Sequence, residues 1–157
     1  ASGLQQQGGR IVLSASHKVD NSGSISANAT ADGPAGKIEI SAPAISNSGS
    51  ISATGSALHS AGSVLVQATN FTQTATGSID LSAPSQGGQL SIQTTGNAQL
   101  QGSINTAATQ DTASTGTSSQ GGQIDVQAQG DIEVNNATLD ASGGQGGSGI
   151  VIIKINQ

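Results

Sequence analysis

The stretch Gly36-Lys37-Ile38-Glu39-Ile40-Ser41-Ala42 alternates polar and apolar residues after a leading glycine, and variants of it recur along the chain. The other copies begin at Gly9, Gly62, Gly88, Gly122 and Gly149. The gaps between successive leading glycines are 27, 26, 26, 34 and 27 residues. A nearly fixed period of this size is typical of a repeat architecture.

The alternation within each copy predicts a β-strand, because a spacing of two places side chains on one face of a strand and scatters them around a helix. Six such strands are expected, with an inward ladder that begins each strand: Ile11, Leu13, Ile38, Ile40, Val64, Val66, Leu90, Ile92, Ile124, Val126, Val151 and Ile153. The next inward position is alanine or isoleucine in five copies, and only Thr94 breaks the apolar rule.

A second short strand follows each of the first five copies, 13 to 15 residues after the leading glycine. Its inward residues are Ile25, Ile51, Ile79, Ile104 and Leu139. A weaker apolar site lies between the two strands, at Val19, Ile45, Phe71, Ala98 or Leu100, and Ile132 with Val134. The Asn-Ser-Gly sequences at 21–23 and 47–49 are predicted as turns, because Asn and Gly tolerate positive φ.

The composition requires a narrow core that is repeated many times. Glycine accounts for 23 of 157 residues, charged residues for 8 %, and Phe71 is the only aromatic residue. Short strands of this kind bury a face only when coils stack on one another. The sequence therefore predicts an all-β fold, a right-handed parallel β-helix of six rungs of about 26 residues, the sixth incomplete. We expect residues 1–157 to be one segment of a longer chain, with a loop insertion at 106–120 that accounts for the 34-residue gap.

Several classes of protein are disfavoured by what the composition lacks. The chain has no cysteine, so it contains neither disulfides nor thiolate metal sites. Only four residues are Lys or Arg. A nucleic-acid partner is not expected, because neutralising phosphates requires a basic patch.

The repeat resembles those of filamentous haemagglutinin-like exoproteins of two-partner secretion systems. The resemblance rests on Gly-Gly-x-Ile-x-Val-x-Ala at 121–128, followed after a turn by sequences such as Gly-Ser-Ile-Ser-Ala at 23–27 or Leu-Asp-Ala-Ser-Gly at 139–143. It implies a long β-helix that an outer-membrane two-partner secretion transporter exports, and that a Gram-negative bacterium secretes or displays on its surface. A host-cell or matrix receptor is then the expected partner. The N-terminal secretion module of that family is not matched here.

One pair of carboxylates deserves comparison with a catalytic site. Asp80 and Asp140 share an outward column two rungs apart, roughly 9.6 Å at the backbone, near the separation that an inverting glycosidase uses. The favoured interpretation is that they are solvating groups, since the chain has no Trp or Tyr to stack on a sugar. No catalytic residue is therefore assigned.

The two histidines are not expected to form a metal or catalytic site. His17 and His59 lie 8 and 23 residues after their leading glycines, so they should occupy different faces. The glycine-rich sequence at 143–147 lacks the lysine of a phosphate-binding loop and is predicted to be a corner. No cofactor or metal is expected.

Two further surface features remain open. Asn28, Asn70 and Asn136 each begin an Asn-x-Thr sequence, the acceptor pattern for N-glycosylation, although chance matches are expected in a chain this rich in Thr. A column of serines that begins at Ser24 and Ser26 resembles the hydroxyl lattice of an ice-binding surface, but it drifts to Asp and Asn in later rungs.

Three functions are compatible with these observations. The leading hypothesis is the structural shaft of an adhesin, whose length and stiffness depend on the inward ladder. The second is a subunit of a filament that stacks end to end, because neither end shows an obvious polar cap in the sequence. The third is a β-helix enzyme that degrades polysaccharides.

Overall fold

The computed structural model describes residues 5–7, 9–30, 33–110, 119–144 and 147–156, and it shows an all-β solenoid of about five turns. Its strands are β1 (Gln5–Gln7), β2 (Arg10–Ser14), β3 (Lys18–Asn21), β4 (Ser24–Ser26), β5 (Lys37–Asn47), β6 (Ser50–Ser52), β7 (Ser63–Gln73), β8 (Ser78–Asp80), β9 (Gln89–Thr94), β10 (Ala98–Asn105), β11 (Gln123–Ala128), β12 (Ile132–Asp140) and β13 (Ile150–Ile155). The described ranges contain no helix.

The solenoid has three faces, each built of parallel strands from successive coils. The first face contains β2, the first halves of β5 and β7, then β9, β11 and β13. Ile38 pairs with Ile11 in the coil below and with Val64 in the coil above. This register confirms that the leading glycines mark equivalent positions.

The other two faces follow the same rule. The second face contains β3, the later halves of β5 and β7, and the first halves of β10 and β12. The third contains β4, β6, β8 and the later halves of β10 and β12. Each coil therefore has the three short strands that the sequence predicts.

The core is one ladder of side chains that runs up the axis. The inward residues of the first five coils are buried on the first face, from Ile11 to Val126, and on the third face from Ile25 to Ile104. Phe71, Ala98 and Leu100 fill the second face and are at most 1 % exposed. Burial of each branched aliphatic residue contributes roughly 1.5–3 kcal/mol, so stacking stabilises what a single coil cannot.

The leading glycine of each coil allows the coils to approach closely at the corner before the first face. A Cβ added to Gly36 would lie 1.6 Å from the carbonyl oxygen of Gly9. The N–H of Lys37 donates a hydrogen bond to this same oxygen at 2.9 Å. The glycine repeat is therefore a packing requirement of the stacked backbone.

A ladder of buried amides runs beside the apolar core, and the sequence interpretation of its members was wrong. Asn21 and Asn47 were expected to occupy turns at positive φ, but they end β3 and β5, and Asn136 is the non-glycine residue with positive φ among the described residues. Asn21 Nδ2 donates to Asn47 Oδ1 at 2.8 Å, and Asn47 Nδ2 donates to the Ser78 carbonyl at 3.3 Å. Gln73 continues the ladder, and both Asn47 and Gln73 are fully buried.

The two ends of the solenoid differ. At the first coil, β1 pairs antiparallel with β2 in the register Gln7↔Arg10, so the prediction that neither end is capped is wrong for this edge. Gly9 adopts φ +74° in the reversal between these strands. At the last coil, Val151 and Ile153 lie in register above Ile124 and Val126 as predicted, but they are 43 % and 44 % exposed.

The insertion falls within a corner whose base is well ordered, although residues 111–118 lie outside the described part of the chain. Ala108 bridges to Ala83 and Gln120 bridges to Gln86, so both arms of the insertion stay aligned with the coil below. The hydroxyl of the buried Ser119 donates to the Gln110 carbonyl at 2.6 Å and joins the two arms. The described part of 106–120 thus continues the stack.

Candidate functional site

The column that contains Asp80 and Asp140 is occupied by turn-forming side chains. Asp80 pairs with Asn105, and Asn105 pairs with Asp140, which places the two carboxylates two coils apart as predicted. The N–H of Ser82 donates to Asp80 Oδ1 at 3.0 Å, and the N–H of Ser142 donates to Asp140 Oδ1 at 2.9 Å. Asn105 accepts the equivalent bond from Ala107 at 2.9 Å. Each member of the column therefore closes the turn that follows its own strand.

The electrostatics of Asp140 do not suit a general acid. The backbone N–H of Ser142 and then its side chain hold the pKa of the Asp140 carboxyl below its ordinary value. An acid that delivers a proton near neutral pH needs the opposite shift. The column therefore supplies turns and negative charge, and the geometry provides no proton donor in it.

The charged residues of the first face form one cluster near its first coil. Arg10 and Lys37 both contact the carboxylate of Glu39, the lysine at 2.8 Å. These two bonds, that from Lys37 first, lower the pKa of Glu39. Two cations around one carboxylate leave a single excess positive charge, which is too little for a phosphate-binding surface.

A groove follows the corner between the third and first faces along the stack. Its volume is about 730 Å³, and its floor consists of the leading glycines and their neighbours. Arg10 and Lys37 lie at one end, and Gln89 and Gln123 line the wall further along. The groove is polar and open, and its glycine floor is already explained by the close approach of the coils.

A column of glutamines covers the other margin of the first face. Gln67 Nε2 donates to Gln93 Oε1 at 3.4 Å, and Gln127 Oε1 accepts from Asn156 Nδ2 at 3.2 Å. Gln127 also donates to the carboxylate of Asp125. These amides bond mainly with each other, which satisfies the outer surface of a flat sheet.

The histidines lie apart, as the sequence spacing predicts. His17 precedes β3, and its Nδ1 lies 2.9 Å from the Ser16 hydroxyl. His59 belongs to a tight turn in which the N–H of Ser56 donates to its carbonyl at 2.8 Å. Across the ranges that the structure describes, no three His, Asp or Glu residues come together as a metal site.

The three Asn-x-Thr sequences are all at the surface. Asn28 Oδ1 accepts from the Thr54 N–H at 2.9 Å, and Asn70 Oδ1 accepts from the Asn97 N–H at 3.0 Å. Asn136 is exposed and has φ +52°, at the irregularity between the two halves of β12. Asn28 and Asn70 thus support the neighbouring coil through their oxygens, and modification of the three residues stays a prediction.

Sequence reasoning missed the functional weight of the buried amide ladder. A signal was present, because Asn21, Asn47 and Gln73 recur at a spacing of 26 residues, equal to one coil. Amides in an inward column can bond to the coils above and below, so they select one register of stacking.

Comparison with known proteins provides no relative from which a role could be transferred. No protein-family model matches the chain, and neither the curated proteins nor the solved structures contain a match. In the described ranges, the structure has no helix long and apolar enough to cross a membrane. What can be assigned from the molecule is its form, a parallel β-solenoid with outward columns and two unlike ends.

Proposed function

We propose that this chain is a structural segment of the shaft of a secreted or surface-displayed bacterial adhesin, and that it is not an enzyme. The observation that supports this role is the continuous inward ladder, in which Ile38 to Val126 stack in register with exposures of at most 1 % in the central coils of the first face. A stack of this kind has a length fixed by its number of coils, at about 4.8 Å for each strand. The resemblance of its repeats to two-partner secretion exoproteins supports the location and the route.

This role implies two partners. An outer-membrane two-partner secretion transporter would export the chain, and a host-cell or matrix receptor would bind the mature protein. The modest net charge of −5 and the rarity of bulky apolar side chains on the faces of the shaft suit an extended chain that does not adhere to itself laterally.

The secretion route can be tested in a Gram-negative host. The chain is fused behind the secretion module of a two-partner exoprotein and produced with or without the matching transporter. We expect it to reach the medium or the outer surface only with the transporter, as judged by protease access on intact cells. A chain that stays inside while a control exoprotein is exported would contradict this route.

The shaft role can be tested separately. Deleting residues 36–87 removes two coils and joins Gly88 to the coil of Gly9 in the same register. We expect the shortened chain to remain folded and to carry a C-terminal epitope nearer the cell by about 9.6 Å, measured by energy transfer to a membrane dye. The attachment of displaying cells to epithelial monolayers and to matrix proteins is then compared with that of cells displaying the secretion module alone. Equal attachment would argue against an adhesin.

The filament subunit is the second candidate, and one observation favours it. Ile150, Val151, Ile152, Ile153 and Ile155 are 39–55 % exposed on a strand whose outer edge no described strand covers. Such an edge promotes association between chains. The β1 strand opposes open-ended growth, because it already occupies the corresponding edge at the first coil.

A further inference from the structure

The outer edge of β13 is an apolar surface at one end of the solenoid. One side of β13 pairs with β11, and no described strand pairs with the other side, which is called the β13 edge below. Its inward residues Val151, Ile153 and Ile155 are 43 %, 44 % and 49 % exposed, although they lie in register above Ile124, Val126 and Ala128, which are at most 1 % exposed.

The composition of β13 suits pairing with a like strand. Five of its six residues are Ile or Val, it has no proline and no acidic residue, and its single charge is Lys154. Segments of high β-propensity and low charge form strand pairs when their edges are free.

The shape of the two ends argues against head-to-tail stacking. At the first coil, β1 extends the first face by one strand beyond β3 and β4. At the last coil, β13 extends the same face by one strand beyond β12. Two ends that project on the same face do not interlock, so head-to-tail contact would leave the second and third faces unpaired between copies.

We propose that the β13 edge pairs antiparallel with the β13 edge of a second copy, giving a closed, two-fold symmetric dimer joined at the last coil. Antiparallel pairing about Ile153 keeps inward residues opposite inward residues, since side chains alternate along both strands. Val151 then lies opposite Ile155 of the second copy, and Ile153 opposite its own equivalent. An isologous contact of this kind closes on itself and does not grow.

The charges of the last two strands select this register. With Ile153 at the centre, Lys154 lies opposite Ile152 of the second copy. Ile152 pairs on its other side with Asp125 of β11, so each Lys154 shares an outward column with the Asp125 of the other copy. Lysine can lay its apolar stem over an isoleucine and present its ammonium beyond it. Centring the pair on Ile152 would instead place Lys154 in the column of the neutral Gln123.

The oligomeric state of the 157-residue chain tests the proposal. We expect sedimentation equilibrium over a wide concentration range to fit a monomer–dimer equilibrium. The Ile153→Lys variant should be monomeric, because it places a charge at the centre of the strand pair. Val134→Lys is the matched control, since Val134 is 43 % exposed on β12 but away from the β13 edge. It should dimerise as the parent chain does.

A charge exchange tests the register and does not depend on Ile153→Lys folding. Lys154→Asp places an acid near the Asp125 of the second copy and should weaken the dimer about tenfold. Asp125→Lys alone should weaken it similarly, and the double variant should restore the parental dissociation constant. Circular dichroism reports whether each variant is folded.

Three results would overturn the proposal. The parent chain could be monomeric at every concentration, it could form species that grow without limit as a filament does, or the double exchange could fail to restore what the single changes lose. Because the test uses purified chain alone, its outcome is independent of the adhesin role.

Discussion

The first and last coils present the same inward pattern on the first face, and the structure treats them differently. Ile11 and Leu13 are 4 % and 5 % exposed, whereas Val151 and Ile153 are 43 % and 44 % exposed. At the first coil, the edge of β2 is paired with β1, and the second and third faces continue from the same coil. At the last coil, β13 pairs on one side only and no described strand of the sixth coil lies beside it on the other faces.

The contrast shows that burial in this molecule is a property of neighbouring coils. A solenoid residue is stabilised chiefly by the coil on either side of it, so stability is approximately a sum over interfaces. An isoleucine with two neighbouring coils loses nearly all of its contact with water. An isoleucine at an open edge keeps almost half of it.

The largest expected effect comes from comparing the same truncation in the middle and at the edge. Ile40→Ala removes a side chain that is 1 % exposed and should lower the free energy of unfolding by about 2–5 kcal/mol. Ile153→Ala should cost less than about 1 kcal/mol in dilute, monomeric protein, because that residue is already half in water. Urea unfolding followed by circular dichroism measures both. Equal losses would mean that the last coil is as well packed as the second.

The amide ladder offers the same comparison with polar groups. Asn47→Ala leaves the Asn21 amide without its 2.8 Å acceptor and removes the bond to the Ser78 carbonyl, so we expect a loss of about 1–3 kcal/mol. Asn21→Ala, at the partly exposed start of the ladder, should cost about 1 kcal/mol or less. Unfolding in urea compares the two variants. A smaller loss for Asn47→Ala than for Asn21→Ala would contradict the ladder.

The last coil has one polar anchor that the first coil lacks. The hydroxyl of Ser119 donates to the Gln110 carbonyl and accepts from the Gly144 N–H at 2.9 Å, which ties the base of the insertion to the corner before β13. Ser119→Ala should destabilise the protein by about 1–2 kcal/mol and speed amide hydrogen exchange at Gly144. Thr109→Ala, at an exposed position on the same arm, serves as the control. Unchanged exchange at Gly144 in Ser119→Ala would remove the anchor.

The smallest effect concerns acid. Asp140, on the strand that borders the open end, has a pKa held below its ordinary value of about 3.9 by the N–H and hydroxyl of Ser142. Its contribution is therefore complete above the unfolded pKa and is lost as the pH falls through the lower, folded pKa. We expect the loss to stay under about 1 kcal/mol because the group is largely solvated. Asp140→Asn retains an oxygen acceptor and should flatten this part of the profile. A carboxyl pKa for Asp140 above the ordinary value by NMR would reverse the sign.

Much of the fold could be predicted because the coil repeats. The leading glycines fixed the period, the alternation of Ile38 and Ile40 with polar residues gave the strand and its inward side, and five successive coils repeated the message. The candidate sites followed the same logic, so the column of Asp80 and Asp140 was placed correctly. Its role in closing turns was not predicted, because that depends on backbone N–H groups whose positions are set only after the corner has formed.

The exceptions are positions where a residue has two plausible local roles. Asn21 and Asn47 precede Ser-Gly, a sequence that favours turns, yet the coil places them at strand ends facing inward. The reason is that one buried amide is costly, while amides stacked at one-coil spacing satisfy each other.

What the sequence determines by itself is therefore the coil: its length, its three strands and the side of each that avoids water. These depend on near-neighbour spacing, which every copy of the repeat contains. Only the tertiary structure decides how the stack begins and ends, and which amides pair across coils. Whether Ile153 is core or surface depends on what lies on the far side of β13, and no property of Ile153 or its neighbours in sequence contains that information.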